Sequence, residues 1–292
     1  MGPFEYLEPE TVEEALSLLR KYSDRAKVCA GGTDLVVQMR ERVLNPQFVI
    51  GIAGIRELDH LRFEDGGGLT IGSLTTIRTL ERSPELRGRY GMLPEVARQF
   101  GSIAIRNVAT IGGNLCNALP SADMAPMLIA LSAKVKLVTS DGERIVPLED
   151  FFIGPGSTVL DPDELMVEIQ VPVPPKCSGG TYLKYSVRGG EDIALVGVAV
   201  LLTFDLERAV CKDSKIVLGA VGPTPMRAHK AELTLKQQQL TEQIVEKAAE
   251  TASSESKPVD DIRGSAEYRR EMVRVFTTAA IHRAAERVKA TA

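Results

Sequence analysis

Two short glycine-bearing segments constrain this chain more than anything else in it. One is Val28-Cys29-Ala30-Gly31-Gly32-Thr33-Asp34-Leu35. The other is Ala109-Thr110-Ile111-Gly112-Gly113-Asn114-Leu115, followed by Pro120-Ser121-Ala122-Asp123. Each reads as a short strand that breaks at paired glycines and then offers small hydroxyl or amide side chains. Glycine turns tightly and lets the backbone approach a ligand with no Cβ in the way. Successive exposed N–H groups in such a turn form an anion-binding concavity. Either segment alone also reads as a plain turn; the pair is suited to holding a diphosphate between them. No G-x-G-x-x-G follows the early strand and no G-x-x-x-x-G-K-[ST] occurs, so a Rossmann site is disfavoured and a P-loop excluded. A G-x-S-x-G nucleophile elbow is also missing.

Around these segments the pattern alternates between helix and strand. Thr11-Val12-Glu13-Glu14 has the capping-box form, and Val12, Ala15, Leu16 and Leu19 then share one helical face. Residues 27–30 read as a strand, Asp34 to Arg42 as a helix with Thr33 at its N-cap, and Phe48-Val49-Ile50 as a strand, which makes residues 1–55 a small α/β lobe. Asp65-Gly66-Gly67-Gly68 is a turn into the strand Leu69-Thr70-Ile71. Helical stretches follow from Thr75-Thr76-Ile77 to Ser83-Pro84, over Leu93 to Phe100, and over Ala125 to Leu131. Lys134 to Val138 alternates like a strand, with a hairpin signal at Asp141-Gly142. Pro172 to Gly180 is the best linker. Beyond it, residues 181–187, 194–204 and 215–221 read as strands, and Glu232 to Thr251 and Ala266 to Lys289 as amphipathic helices.

Composition narrows the function. A net charge of −4 argues against a nucleic-acid partner, which needs a basic stripe. No apolar run reaches the length of a membrane span, and Met1 to Tyr6 lacks the basic-then-apolar order of a signal peptide. Cys29, Cys116, Cys177 and Cys211 are scattered, with no C-x-x-C spacing for zinc or an iron–sulfur cluster. A disulfide framework is not expected, and a cytoplasmic location fits. His60, His229 and His282 are not spaced as metal ligands, and no general-base dyad stands out.

In order and spacing the chain resembles one family: the FAD-binding medium subunit of molybdenum hydroxylases, the relatives of xanthine dehydrogenase, aldehyde oxidoreductase and aerobic carbon monoxide dehydrogenase. Ala30 to Leu35 is similar to its first flavin loop. Ile105-Arg106-Asn107-Val108-Ala109-Thr110-Ile111-Gly112-Gly113-Asn114 is similar to its second, more specific one. Asp161-Pro162-Asp163-Glu164-Leu165 with Val171-Pro172, Tyr182-Leu183-Lys184-Tyr185, and Arg263 to Arg270 are similar to later landmarks, so the resemblance spans essentially the whole sequence. It implies an α+β chain: a two-lobed FAD-binding domain of the vanillyl-alcohol-oxidase/PCMH type over residues 1–173 (lobes 1–55 and 56–173), followed over 181–292 by a domain of a small antiparallel sheet plus helices.

The resemblance also implies roles. Val28, Cys29, Ala30, Gly31, Gly32, Thr33, Asp34 and Leu35 wrap the diphosphate and its riboses. Thr110, Gly112, Gly113 and Asn114 supply hydroxyl, amide and backbone donors. Asp123 binds a cofactor hydroxyl, Phe100 packs on the adenine side, Met166 touches the cofactor, and Lys184 lies near the flavin ring. The loop Arg188 to Asp192 lies near the flavin as well. Each has a plainer reading from its own surroundings: Asp123 as a helix cap, Lys184 as a solvated strand residue, Phe100 as core, Cys116 as a small filler. The family carries its molybdenum-pterin cofactor on a large partner and two [2Fe–2S] clusters on a small one, as a dimer of heterotrimers. It passes electrons to NAD, a quinone or oxygen. The alternatives are a stand-alone FAD-dependent oxidoreductase of the same fold superfamily and a scaffold whose flavin loops have decayed.

Overall fold

The structure, a computed structural model, describes residues 1–290 except 65, 67, 190, 191 and 208. The Asp65–Gly68 turn and the Arg188–Asp192 loop therefore fall partly outside the described residues.

The first lobe is built on a three-stranded parallel sheet. Phe48–Gly51 lies at its centre, between Glu5–Leu7 and Ala26–Cys29, with Val28 opposite Ile50. Helix Val12–Tyr22 covers it, burying Ala15, Leu16 and Leu19. Thr11 caps that helix by accepting from the Glu14 N–H at 3.2 Å. The Glu14 carboxylate accepts from the Glu10 N–H at 2.8 Å rather than from Thr11, so the reciprocal half of the box is displaced by one residue. The next helix is Leu35–Arg40, shorter than its apolar pattern suggests. Asp34, not Thr33, is its N-cap residue, with no side-chain cap bond.

The second lobe holds a five-stranded antiparallel sheet in the order Leu61–Glu64, Gly68–Gly72, Leu165–Val171, Lys134–Thr139, Gly142–Pro147. Helices Met92–Arg98 and Met124–Ala130 bring Leu93, Val96, Met127 and Leu128 into its core. Strand Leu165–Val171 carries a register shift between Met166 and Glu168, a bulge of the kind that re-aims a side chain. Here it falls beside Met166.

The C-terminal part is a four-stranded antiparallel sheet, Ser178–Tyr185, Val196–Phe204, Cys211–Gly219 and Met226–Arg227, backed by helices. Gly179 and Gly180, assigned to the linker from sequence, are strand residues. A Cβ on Gly179 would lie 2.6 Å from the Ala284 carbonyl oxygen, so glycine here admits the long helix Ala266–Ala290. The stretch Glu232 to Thr251 is two helices, His229–Leu235 and Glu242–Glu255. Between them Gln237 takes a positive φ, and Gln237 and Gln238 pair with Cys211 at the end of its strand. Thr241 then caps the second helix through the Ile244 N–H. Tertiary pairing overrides a helical pattern here.

Among the described residues no helix is long and apolar enough to cross a membrane.

Candidate cofactor site

The two glycine segments meet. A Cβ on Gly31 would lie 1.8 Å from the Val108 carbonyl oxygen and 2.6 Å from its carbon, so the first loop lies directly on the backbone of the second segment. Gly32 turns away with φ +70°. Among the described residues, none accepts from the N–H groups of Gly32, Thr33 or Asp34. These donors face a cleft of about 490 Å³ between the lobes. Thr33 approaches the Asp34 carboxylate at 3.5 Å, and burial raises the Asp34 carboxyl above its ordinary value against that hydroxyl.

The second segment differs from its sequence reading. It does not leave a strand: helix Ile103–Val108 precedes it, and Gly112 and Gly113 stand in the first turn of a short helix, Ile111–Cys116. Its amides are already used. Ile111 N–H donates to the Thr75 oxygen, Gly112 N–H to the Ser73 oxygen at 2.9 Å, and Gly113 N–H to Thr110 Oγ1 at 3.0 Å. The backbone donors expected of Gly112 and Gly113 are therefore engaged within the fold. The glycines serve close approach instead. A Cβ on Gly112 would sit 2.7 Å from both Cβ and the carbonyl oxygen of Ser73, whereas one on Gly113 would meet only Thr110 Oγ1, at 2.9 Å. What this segment does offer is Asn114, whose Oδ1 is buried without a hydrogen-bond partner. A buried polar atom left unpaired costs about 1–3 kcal/mol, and Asn114 is on the cleft wall.

Val28 through Leu35, Phe100, Thr110, Gly112, Gly113, Asn114 and Met166 all line this cleft. Phe100 does not belong to a helix; it follows Met92–Arg98 in a turn and is half-buried. Cys116 lies against Met166, sulfur to sulfur at 4.0 Å, and burial pushes its thiol up to about 12, which leaves it a packing group at neutral pH.

Asp123 and Lys184 are not on the cleft wall. They are paired with each other at 2.8 Å, with side chains 9% and 5% exposed. Asp123 also accepts from the Tyr182 hydroxyl at 2.9 Å, and Lys184 also donates to the Gln99 carbonyl at 3.1 Å. Asp123 precedes helix Met124–Ala130 but makes no cap bond, and Lys184 is buried, so both plain readings fail. Burial pushes the Asp123 carboxyl up, while the Lys184 ammonium and the Tyr182 hydroxyl pull it down. The pair ties the start of helix Met124–Ala130 to strand Ser178–Tyr185.

Among the wall residues that the sequence reading did not assign to the site are the polar side chains of Gln38, Ser73 and Asn117. Gln38 Nε2 donates to Asn117 Oδ1 at 3.0 Å, joining helix Leu35–Arg40 to the residue that ends helix Ile111–Cys116 across the cleft. The sequence carries no spacing signal for it, because the partners are far apart in the chain. Among the described residues, no group of three or more His, Cys, Asp or Glu side chains could hold a metal ion.

Residues 2–174 match the family described as the FAD binding domain in molybdopterin dehydrogenase, and residues 181–284 match the CO dehydrogenase flavoprotein C-terminal domain. The chain is 34% identical to the glyceraldehyde dehydrogenase medium chain of Sulfolobus acidocaldarius over 94% of this chain and 95% of that one. It is 33% identical to the carbon monoxide dehydrogenase medium chain of Afipia carboxidovorans over 99% of each. Its fold superposes on a chain of carbon monoxide dehydrogenase from Hydrogenophaga pseudoflava with a TM-score of 0.94, at 34% identity and 98% coverage of both. The chain belongs to the family of FAD-binding medium subunits of the molybdenum hydroxylases.

Proposed function

We propose that this chain holds FAD in the cleft between its glycine segments and is the electron-transfer subunit of a cytoplasmic molybdenum hydroxylase. The observation that carries this is the cleft itself. It combines open N–H donors at Gly32, Thr33 and Asp34 with the unpartnered Asn114 Oδ1, in a chain whose first 174 residues match an FAD-binding family. The first loop would take the diphosphate, because its amides are the ones left open. Asn114 and Thr110 would meet ribose or ribityl hydroxyls. Phe100 and Met166 would supply apolar walls, which exclude water. Lys184 and Asp123 stand off the cleft wall, and their ion pair would support the site by joining the loop before helix Met124–Ala130 to the C-terminal sheet.

When bound, FAD supplies one-electron acceptance and two-electron delivery. The chain would thus take electrons from the [2Fe–2S] clusters of a small partner and pass them to NAD, a quinone or oxygen, while a large molybdenum-pterin partner carries out the hydroxylation. A dimer of heterotrimers is the expected assembly.

Purification from the native source is expected to bring down one larger chain with molybdenum and one smaller chain with iron. Denaturation of the isolated subunit should release FAD, and that subunit should hydroxylate no substrate. Turnover of an aldehyde, purine or other heterocycle by this chain alone would overturn the subunit reading; a colourless protein that stays empty in excess FAD would overturn the cofactor reading.

Gly113→Val tests the cleft more locally. Its Cβ would lie 2.9 Å from Thr110 Oγ1, so the Thr110 side chain that caps this helix must shift a little, while no backbone atom stands in the way and the isopropyl group takes up space on the cleft wall. Losing even two contacts to a charged group at about 1.5–3 kcal/mol each weakens FAD binding more than about a hundredfold. Titration with FAD, together with an unchanged far-ultraviolet spectrum, checks it.

A further inference from the structure

Arg106 sits in the second flavin-loop motif, yet it does not line the cleft. It is 7% exposed. Its Nε donates to Glu81 Oε2 at 2.8 Å. Its NH1 donates to three backbone carbonyls of one turn: Arg98 at 3.2 Å, Phe100 at 2.9 Å and Gly101 at 2.8 Å. That turn needs such a partner. Helix Met92–Arg98 ends there, which leaves carbonyl groups with no intrahelical donor, and Gly101 reverses the chain with φ +41°. The residue carried at the centre of the turn is Phe100, whose side chain faces the cleft.

Glu81 holds the guanidinium from the other side and is shared with Arg78, also at 2.8 Å. Burial alone would raise the Glu81 carboxyl; hydrogen bonds and charges from Arg78 and Arg106 outweigh it and hold it below the usual range. The carboxylate is thus ionised at neutral pH and can orient Arg106. The same turn is gripped from the C-terminal sheet. Lys184 donates to the Gln99 carbonyl at 3.1 Å, and Gln99 Nε2 donates to the Tyr182 carbonyl at 3.4 Å. A lysine at position 106 would keep the charge but offer one nitrogen in place of a planar fork, and could not reach both Glu81 and the three carbonyls in this geometry.

We propose that Arg106, anchored by Glu81, is a positioning residue that fixes the Arg98–Gly101 turn and so sets Phe100 against the cofactor. This rests on the FAD reading above. Its consequence is that part of the affinity for FAD is exerted by Arg106 through Phe100 alone.

A double-mutant cycle on the full chain tests this, with the dissociation constant of FAD as readout. Arg106→Lys is expected to weaken FAD binding about ten- to thirtyfold in the wild-type background. In the Phe100→Ala background it should weaken binding no more than about twofold, because the ring it positions is gone. Arg78→Met, which removes a partner of Glu81 that touches none of the three carbonyls, should leave FAD binding within about twofold. A general loosening of the lobe would instead give the same loss from Arg106→Lys in both backgrounds, and that result overturns the proposal. Should Arg106→Lys not fold, Glu81→Gln takes its place in the same cycle, with the same coupling to Phe100→Ala expected and additive losses overturning the idea. A wild-type chain that takes up no FAD sinks the cofactor reading and this one together. A wild-type chain that binds FAD no better than Arg106→Lys sinks only this one.

Discussion

Gly31→Ala is expected to lose FAD at least about a hundredfold in affinity and to destabilise the protein by about 1–3 kcal/mol, the cost of overpacking a close contact. A single methyl group suffices because the added Cβ would lie 1.8 Å from the Val108 oxygen and 3.2 Å from the Ala109 Cα. Both are backbone atoms, so no side chain can swing aside. The first loop must back away from the second segment, and the open amides of Gly32, Thr33 and Asp34 move with it. The contrast with Gly113→Val is diagnostic. That variant fills the cleft and disturbs one helix cap, whereas Gly31→Ala forces two backbones apart and should lose more stability along with the cofactor. FAD titration and urea unfolding of the two proteins side by side separate them. Wild-type FAD affinity in Gly31→Ala would show that the loop contact does not build the site.

Lys184→Met is expected to cost about 3–5 kcal/mol of stability, the usual penalty for leaving one member of a buried ion pair alone. The Asp123 carboxylate would keep only the Tyr182 hydroxyl. The loss should depend on pH in a definite direction. The folded Asp123 carboxyl is raised above its ordinary 3.8, chiefly by burial. A carboxyl raised on folding binds more protons folded than unfolded, so its contribution favours folding at low pH and is lost as pH climbs through the folded value. Removing the ammonium that opposes this rise pushes the folded value higher still. The deficit of Lys184→Met relative to wild type should therefore be small near pH 4 and grow towards pH 8. Adding Asp123→Asn removes the stranded charge and should recover most of the loss. Unfolding curves at both pH values decide it. A deficit that does not change with pH would mean that Asp123 is not the group left exposed to the change.

The sequence by itself determined the broad architecture. The capped helix after Thr11, the strands around Val28 and Val49, the hairpin at Asp141-Gly142 and the C-terminal sheet are local patterns of spacing and turn chemistry, and the chain follows them to within a few residues. The glycine pairs also marked where segments pack closely, because a residue without a Cβ shows in the sequence where backbones must come close. What each glycine is close to was not legible. Only the tertiary structure shows Gly31 against Val108 and Gly112 against Ser73, and so shows that the open amides belong to the first loop while those of the second are engaged. Asp123 and Lys184 were singled out one at a time; their pairing at 2.8 Å joins a loop of the second lobe to a strand of the C-terminal sheet. Arg106 lay inside the most specific motif, yet its work on the Arg98–Gly101 turn appears only once the helix before Phe100 has ended and its carbonyl groups need a donor. Periodicity and turn residues record a chain's own neighbourhood, whereas hydrogen bonds across long loops depend on where the lobes come to rest.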